Sequence, residues 1–525
     1  MLFKTKIIGC IVLMFGFLYT SCKEEKRIIN FPYTDLSKSH FIPKPLKVIP
    51  THSGFPLDKF TAIHIGETTK DFKNLSGFLA EKITKQTGIS PHLKANDSTE
   101  SIIYINASND FNLKHPEAYH LKVLKDSIIL TSNTATGAFR GIQTLRQLIP
   151  NKANDTLAKN DIWVIPSGEI TDTPQFEYRG TMLDVARHFF SVEDIKKYID
   201  VLSYYKINVL HLHLSDDQGW RIEIKSWPKL TEIGSITQVG GTKGGFYTQK
   251  DYTEIVNYAT LHYITIVPEI DMPGHTNAAS LSYPILNGNG KAVKPYTGMR
   301  VGFSTFDTRK DTVYTFINDV VRELAALTPG PYFHIGGDES HVTKKEDYNY
   351  FVNKVEAIVQ KHGKRMIGWD ETANAGVDST SIAQIWHSEK NMKTAIKKGM
   401  KLILSPAKNA YLDMKYDALS KFGLDWAGFV PVNVAYNWYP ETMAPKANIL
   451  GIEAPLWSET IGTLSELEYL AFPRIIGHAE IGWSLKKHRN WEDYKTRLAH
   501  QYSFLNRNGV NYYASPLVNW MKDDF

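Results

Sequence analysis

Cysteine is almost missing from this chain: 525 residues contain two, Cys10 and Cys22. That excludes a disulfide-stapled scaffold, so a fold of this length must rest on its apolar core. An excess of one charge is also lacking. The 60 basic and 55 acidic residues leave a net +5, too little for the footprint of a nucleic-acid binder. No internal repeat or low-complexity segment is present. Hydrophobic residues at 42% and charged residues at 22% are ordinary globular values, which excludes disordered, collagenous and coiled-coil classes. The apolar run Ile7–Tyr19 covers 13 residues, short of the roughly 20 that a membrane-spanning helix needs. What the chain has in excess is aromatic residues, 12% with 11 Trp and 27 Tyr. This is the one compositional hint of a ligand.

Lys4 and Lys6 precede the apolar run, and Leu18-Tyr19-Thr20-Ser21-Cys22 follows it. The pattern predicts a signal peptide over 1–21. Small residues before Cys22 resemble a bacterial lipoprotein processing site, with Cys22 as the lipidated first residue. Plain secretion with an incidental Cys22 is the alternative. On the first reading the protein is an exported cell-envelope lipoprotein, at the periplasmic or surface face of an outer membrane. It would meet the membrane only through its lipid. Lys23-Glu24-Glu25 resembles the export signals of some surface lipoproteins.

Residues 22–56 are punctuated by Pro32, Pro43, Pro45, Pro50 and Pro56. They read as a tether and an extended entry strand. Residues 57–174 mix strand signals (Phe60–Ile65, Ile102–Ile105, Tyr119–Leu124, Ile128–Thr131) with helical spacing at Leu75–Thr87 and Ala138–Ile149. Lys125-Asp126-Ser127 reads as a hairpin turn. Strands and helices without strict alternation predict a small α+β domain ending near Thr173-Pro174.

From 175 to 525 the pattern changes to alternation. Eight short apolar strands are predicted: Gly180–Val185, Asn208–Leu214, Ile264–Ile270, Tyr332–Ile335, Arg365–Trp369, Ile382–Trp386, Lys401–Leu404 and Ile449–Ala454. Capping-box spacings at Ser191/Asp194, Thr248/Asp251, Thr308/Asp311, Thr343/Glu346 and Ser465/Glu468 predict helix starts between them. Ile195, Ile199, Leu202 and Tyr205 share one helix face. Eight βα units over about 310 residues predict an α/β fold, a (β/α)8 TIM barrel; a doubly wound open sheet is the alternative. Trp491, Tyr494, Leu498, Tyr502 and Leu505 predict a closing C-terminal helix.

The chemistry of such a barrel sits at the C-terminal ends of its strands. There this sequence places Asp184 and Arg187, then His211, His213, Asp216 and Asp217. Glu269, Asp271 and His275 follow, then His334, Asp338 and Glu339. Trp369, Asp370, Glu371, Trp386, Tyr411, Asp413, Trp457 and Glu459 complete the rim. Carboxylates, one Arg and flat indoles suit the hydroxyls and apolar faces of a sugar. Glycoside cleavage needs an acid for the leaving oxygen and a second group for the cationic transition state. Asp338-Glu339 is the best pair. Neighbours in a strand face opposite sides, so both reach one substrate only where the backbone turns, and Gly336-Gly337 permits that. Taken alone, the pair reads equally well as a helix cap and a solvated neighbour.

The segments Gly180–His188, Leu212–Trp220, Pro268–His275, His334–Glu339, Gly368–Glu371, Gln384–Trp386, Tyr411–Asp413 and Gly451–Glu459 resemble the motifs of family 20 glycoside hydrolases, the β-N-acetylhexosaminidases. The preceding α+β domain resembles that family's N-terminal domain. The resemblance implies an exo-acting, retaining, substrate-assisted enzyme, an exception to the two-carboxylate scheme. Glu339 would be the acid and then the base. Asp338 would orient the substrate's 2-acetamido group, and Tyr411 would hold its carbonyl. Trp369, Trp386 and Trp457 would wall the acetamido pocket and ring face. Arg187, Glu459 and Asp413 would bind hydroxyls, while Asp216, Asp271 and His275 would support Glu339. No cofactor and no metal is called for; the partners are N-acetylhexosamine-terminated glycans. On these roles Glu339 should have a raised pKa, from partial burial and the Asp338 charge, and Asp338 should stay ionised.

Two other readings compete. His211-x-His213 with Asp216, His275 and His334 suggests a metal-dependent hydrolase. An inactive barrel used as a surface glycan-binding lipoprotein would also suit the Trp content. His188 reads as support for Arg187, and Asp370 and Glu371 as caps or rim hydrogen-bonders. Natural glycan, GlcNAc-versus-GalNAc preference and oligomeric state have no signature in the sequence.

Overall fold

A computed structural model describes residues 33–66, 70–95, 99–108, 113–150, 158–159, 162–288 and 290–521. The predicted signal and Cys22 lie outside the described residues. Among the described residues no helix is long and apolar enough to cross a membrane.

The N-terminal unit is a seven-stranded mixed sheet built from β1 (Lys47–Leu57), β2 (Thr61–Ile65), β3 (Ser101–Ala107), β4 (Tyr119–Val123), β5 (Ser127–Ser132), β6 (Ala158–Lys159) and β7 (Ile162–Asp172). Its order is β1-β7-β4-β5-β3-β2, with β6 on β7. Helices Lys70–Thr87 and Ala135–Leu148 pack their apolar faces on it through Leu75, Leu79, Phe139 and Ile142. The turn at Lys125–Ser127 closes β4 onto β5, Leu124 N–H donating to Ser127 O at 2.8 Å. β1, where the entry strand is expected, is an edge strand of this sheet, paired with β7 over Lys47–Pro50 and Gly54–Leu57. β7 has no counterpart among the predicted strands, because Pro166-Ser167-Gly168 interrupts its apolar pattern. The ladder absorbs that break as a shift of register between Pro50 and Gly54. Gly168 lies there at φ 147°, where a Cβ would meet Ile49 O at 2.3 Å.

The second unit is a closed parallel barrel: β8 (Tyr178–Asp184), β9 (Val209–His213), β10 (Thr265–Glu269), β11 (Tyr332–His334), β12 (Arg365–Trp369), β13 (Ile382–Ile385), β14 (Lys401–Leu404) and β15 (Ile449–Leu456). β15 closes on β8. All eight predicted strands are present and the open sheet is excluded. Side chains alternate inward along each strand. Tyr178, Val209, Val267, Tyr332, Ile367, Ile382, Ile403 and Leu450 form an apolar plug at the N-terminal end. Two residues further along several of these strands the inward positions become polar: His211, Glu269, His334 and Gln384, all fully buried. The site sits above this layer.

Of the five predicted capping boxes, Ser191/Asp194 and Thr248/Asp251 form. The other three do not. Helix Asp311–Leu327 starts from Lys310 and helix Lys345–Lys361 from Lys344. The Thr343 hydroxyl is taken by Thr305 and Ser340, each at 2.7 Å. Helix Leu464–Ala471 uses Thr463 and Glu466 as its box, two residues before the predicted pair. Glu468 instead accepts from Asn511 N–H at 2.8 Å. The closing helix is two helices, Trp491–Ala499 and Tyr502–Arg507.

The two units are joined by buried ions. Glu117 of the N-terminal unit accepts from Arg140 Nε at 2.7 Å and from Arg179 of β8 at 2.5 and 3.0 Å. Lys206 Nζ donates to Asp172 at 3.1 Å and to the Tyr119 hydroxyl at 3.0 Å, and the Trp483 indole donates to Asp172 at 2.9 Å.

Candidate active site

The carboxylate pair leaves β11 through a sharp turn. Gly336 (φ 65°) and Gly337 (φ 96°) precede Asp338, and Glu339 itself has φ 47°. A Cβ at Gly336 would lie 1.9 Å from Asp271 Oδ1, so no other residue fits there. Asp271 Oδ1 accepts the Gly337 N–H at 3.0 Å, and the Tyr348 hydroxyl donates to Gly337 O at 2.6 Å. This bracing holds Glu339 in the left-handed region, which costs a non-glycine residue about 1–3 kcal/mol. His275 is strained alike, at φ 55°. The outcome is that Asp338 and Glu339 open into one cavity of about 290 Å³.

Arg187, Trp386, Tyr411, Asp413, Trp457 and Glu459 line that cavity with them. Trp386 and Tyr411 lie nearly parallel, 6.4 Å apart, and Arg187 sits over the Trp457 ring at 4.8 Å. Trp369 is beneath this wall, packed 5.8 Å from Trp457 and donating its indole N–H to Glu269 at 3.1 Å. Several buried polar atoms have no protein partner: Asp338 Oδ1, both Asp413 oxygens, Glu459 Oε2 and Arg187 Nε. Buried polar groups are normally satisfied. Those that line this cavity suit a ligand rich in hydroxyls and amides.

Behind the pair stand Asp216, Asp271 and His275. Asp216 Oδ2 pairs with Arg187 Nη2 at 2.8 Å, and Asp216 Oδ1 with His275 Nδ1 at 3.1 Å. His275 Nε2 faces Glu339 at 3.6 Å and Asp338 at 3.8 Å. This arrangement overturns the expected acidities. Burial pushes Asp338 up, helped by the charges of Glu339 and Glu269 and opposed by His275. Burial also pushes Glu339 up, but its contact with His275 and the charges of His275, Arg187 and His341 outweigh that. In the open site Glu339 therefore lies below its ordinary value and Asp338 above. Sequence reasoning missed this because nothing in the spacing aims His275 at both carboxylates. Burial and the neighbouring Asp338 and Asp413 charges raise the Tyr411 phenol well above its ordinary value, so it is a hydrogen-bond donor. Burial and the Glu459 charge raise Asp413 well above its own.

His188 does not support Arg187; it bonds Ser458, with Nδ1 at 2.6 Å from the carbonyl. Asp370 accepts the N–H groups of Trp386, His387 and Ser388, each at 3.2 Å, just before helix Glu389–Lys397. Glu371 accepts the Trp386 indole N–H at 3.2 Å and so orients that wall. The His211-x-His213 pair is turned into the barrel, with both rings facing carboxylates. Four lining residues had no sequence signal beyond lying in long loops: Met299, Val301, Leu424 and Trp426. Trp426 is 54% exposed and meets Trp386 and Tyr411 edge-on at 6.0 and 5.8 Å.

Known proteins match this chain along both units. The model of the glycosyl hydrolase family 20 catalytic domain matches residues 176–486, and that of family 20 domain 2 matches 38–173. A β-N-acetylhexosaminidase of Cellulomonas fimi is 39% identical over 410 residues, 77% of this chain and 82% of that protein. A β-hexosaminidase of Porphyromonas gingivalis is 34% identical over 532 residues, 96% of this chain and 68% of that protein. The Streptomyces plicatus N-acetyl-β-hexosaminidase solved with thio-NAglucal superposes with a TM-score of 0.87 at 42% identity, covering 92% of this chain and 98% of its own. A mutant of the same enzyme has been solved with its product GlcNAc. The chain belongs to glycosyl hydrolase family 20.

Proposed function

We propose that this protein is an exo-acting, retaining β-N-acetylhexosaminidase that removes terminal β-linked GlcNAc or GalNAc by substrate-assisted catalysis. The carrying observation is that Asp338, Glu339 and Tyr411 converge on a cavity of about 290 Å³, at the small end of ligand sites and suited to one sugar ring. The mechanism follows from the groups present. The Tyr411 hydroxyl donates to the acetamido carbonyl and Asp338 accepts the acetamido N–H, aiming the carbonyl oxygen at the anomeric carbon. Glu339 passes its proton to the leaving oxygen as the glycosidic bond breaks, and an oxazolinium ring forms. Glu339, now a carboxylate, takes a proton from water as the water opens that ring from the face the leaving group left, so configuration is retained. Trp386 and Trp457 pack on the sugar, over Trp369. Arg187, Asp413 and Glu459 bind its hydroxyls.

The sugar also corrects the resting acidities. It displaces water from Glu339, whose side chain is 28% exposed in the open site, and so raises its pKa. The cationic intermediate beside Asp338 favours the ionised form there. Trp426 and Met299, at the mouth, form the surface for the leaving sugar. The test is hydrolysis of a chromogenic β-GlcNAc glycoside by wild type, Asp338→Asn and Glu339→Gln. A loss of about 10²-fold or more in each variant is expected; full activity in both would overturn the assignment.

The sequence before the first described residue supports export with lipidation at Cys22. Cys22→Ser should release the protein from the membrane fraction of expressing cells, and retention there would refute it.

A further inference from the structure

Bulky branched side chains normally fill the inside of a barrel of this type. Here the middle layer is charged. Glu453 accepts from the Tyr178 hydroxyl at 2.5 Å and from Gln384 at 2.7 Å. His211 Nδ1 is hydrogen-bonded to Glu453 at 3.0 Å, and its Nε2 lies 3.0 Å from Glu269 in ion-pair contact without a hydrogen bond. His213 spans Glu269 at 2.6 Å and Asp216 at 2.9 Å. Asp216 passes to His275, and His275 to Glu339. His213 is hydrogen-bonded to a carboxylate at each nitrogen, so both must donate, and only the imidazolium does so. The column thus alternates in sign from the apolar plug to the cavity.

Glu269 is its hub. One of its oxygens holds His213, and the other accepts the Trp369 indole N–H at 3.1 Å. Resting on the family 20 reading of Glu339 as general acid, we propose that Glu269 and His213 are positioning residues for the reaction. Glu269 clamps together the His213–Asp216–His275 train that ends on Glu339 and the Trp369 floor of the acetamido pocket. Packing alone does not call for this arrangement. Well-packed apolar residues replace buried ion pairs at no loss of stability, and often at a gain. The column also does not close on itself but terminates at the acid.

The surrounding charges agree. His213 faces Glu269, Asp216 and Asp184; His275 faces Asp216, Asp271, Asp338 and Glu339; Arg187 balances Asp184 and Asp216. Burial pulls the three imidazoles down, but the carboxylates prevail. His211 is pushed up to about 9, and His213 and His275 lie well above their ordinary value.

The experiment compares wild type, His213→Gln and Glu269→Gln on two β-GlcNAc glycosides. One carries a 2,4-dinitrophenyl group, which leaves without a proton, and the other a methyl group, which needs one. Both variants should lose about 10- to 100-fold more kcat/KM on the methyl than on the dinitrophenyl glycoside. KM for the dinitrophenyl glycoside should rise in Glu269→Gln alone, because only Glu269 holds Trp369. Equal losses on both substrates, or none, would overturn the proposal. Wild type inactive on both would instead overturn the hexosaminidase reading. Should the variants not fold, nitrogen NMR of wild type labelled at histidine decides. Imidazolium signals should persist at pH 8, whereas titration of every histidine to neutral by pH 7.5 refutes the column.

Discussion

At the scale of single residues, the site depends on positions where a side chain is forbidden as much as on those where one acts. Gly336→Ala would put a methyl group against the Asp271 carboxylate at a positive φ. Activity should fall at least 10-fold with little change in far-UV dichroism, since the strain falls on the turn carrying Asp338 and Glu339. Normal kcat/KM in that variant would show that the turn relaxes freely. Trp426→Ala should raise KM for a GlcNAc disaccharide by about 10-fold, in line with about 1–3 kcal/mol for burying a large apolar side chain. It should leave an activated aryl GlcNAc glycoside nearly unaffected; equal effects on both would place Trp426 outside the leaving-group surface. The lining residues Arg187, Trp386, Tyr411, Asp413, Trp457 and Glu459 were legible because each follows a barrel strand. Trp426, Met299, Val301 and Leu424 were not, because they come from long loops whose path no local pattern dictates. Glu269 was visible as a strand-end carboxylate, but its partners belong to three other strands, β9, β11 and β12, which only the pairing of strands distant in sequence brings together. The resting acidities were illegible for the same reason: His275, in the loop after β10, reaches Glu339 at the end of the neighbouring strand β11.

At the scale of elements, strand cores were readable to within a residue or two, and β12 and β14 matched at both ends, because buried parallel strands are short continuous apolar runs. Helix starts were less readable. A Ser/Thr-x-x-Asp/Glu spacing recurs by chance, and tertiary partners decide which copy caps. Thr463→Ala should therefore cost about 1 kcal/mol, measured by urea unfolding, while Ser465→Ala costs a few tenths. The reverse order would return the cap to the pair the spacing suggests. β7 escaped because its bulge is carried by a glycine and a proline, residues that punctuate strands in most sequences.

At the scale of the molecule, Glu117 holds the two units together. Burial pushes its carboxyl up, but Arg179 and Arg140 outweigh that and bring it down to about 2 from 4.5. A carboxylate with a depressed folded pKa contributes stability above its unfolded pKa, and that contribution is lost as pH falls through the folded one. Wild type should lose thermal stability steeply between pH 4.5 and 2 on this account. Glu117→Gln should be less stable at pH 7 by about 3–5 kcal/mol, since two buried guanidiniums lose their partner, and should respond more weakly to acid. Parallel acid profiles for the two proteins would remove Glu117 from the account. The organisation into a sheet unit and a barrel was legible from the change in alternation; the weld between them was not, since Glu117, Arg140, Arg179 and Lys206 look like surface residues in a linear chain. The single-ring cavity has a consequence for polymers. Each cut liberates one monosaccharide and must be followed by release and re-entry of the shortened chain, so digestion is paced by the number of non-reducing ends rather than by chain length. Any hydrolase that nicks the same glycan internally would multiply this protein's work without touching it.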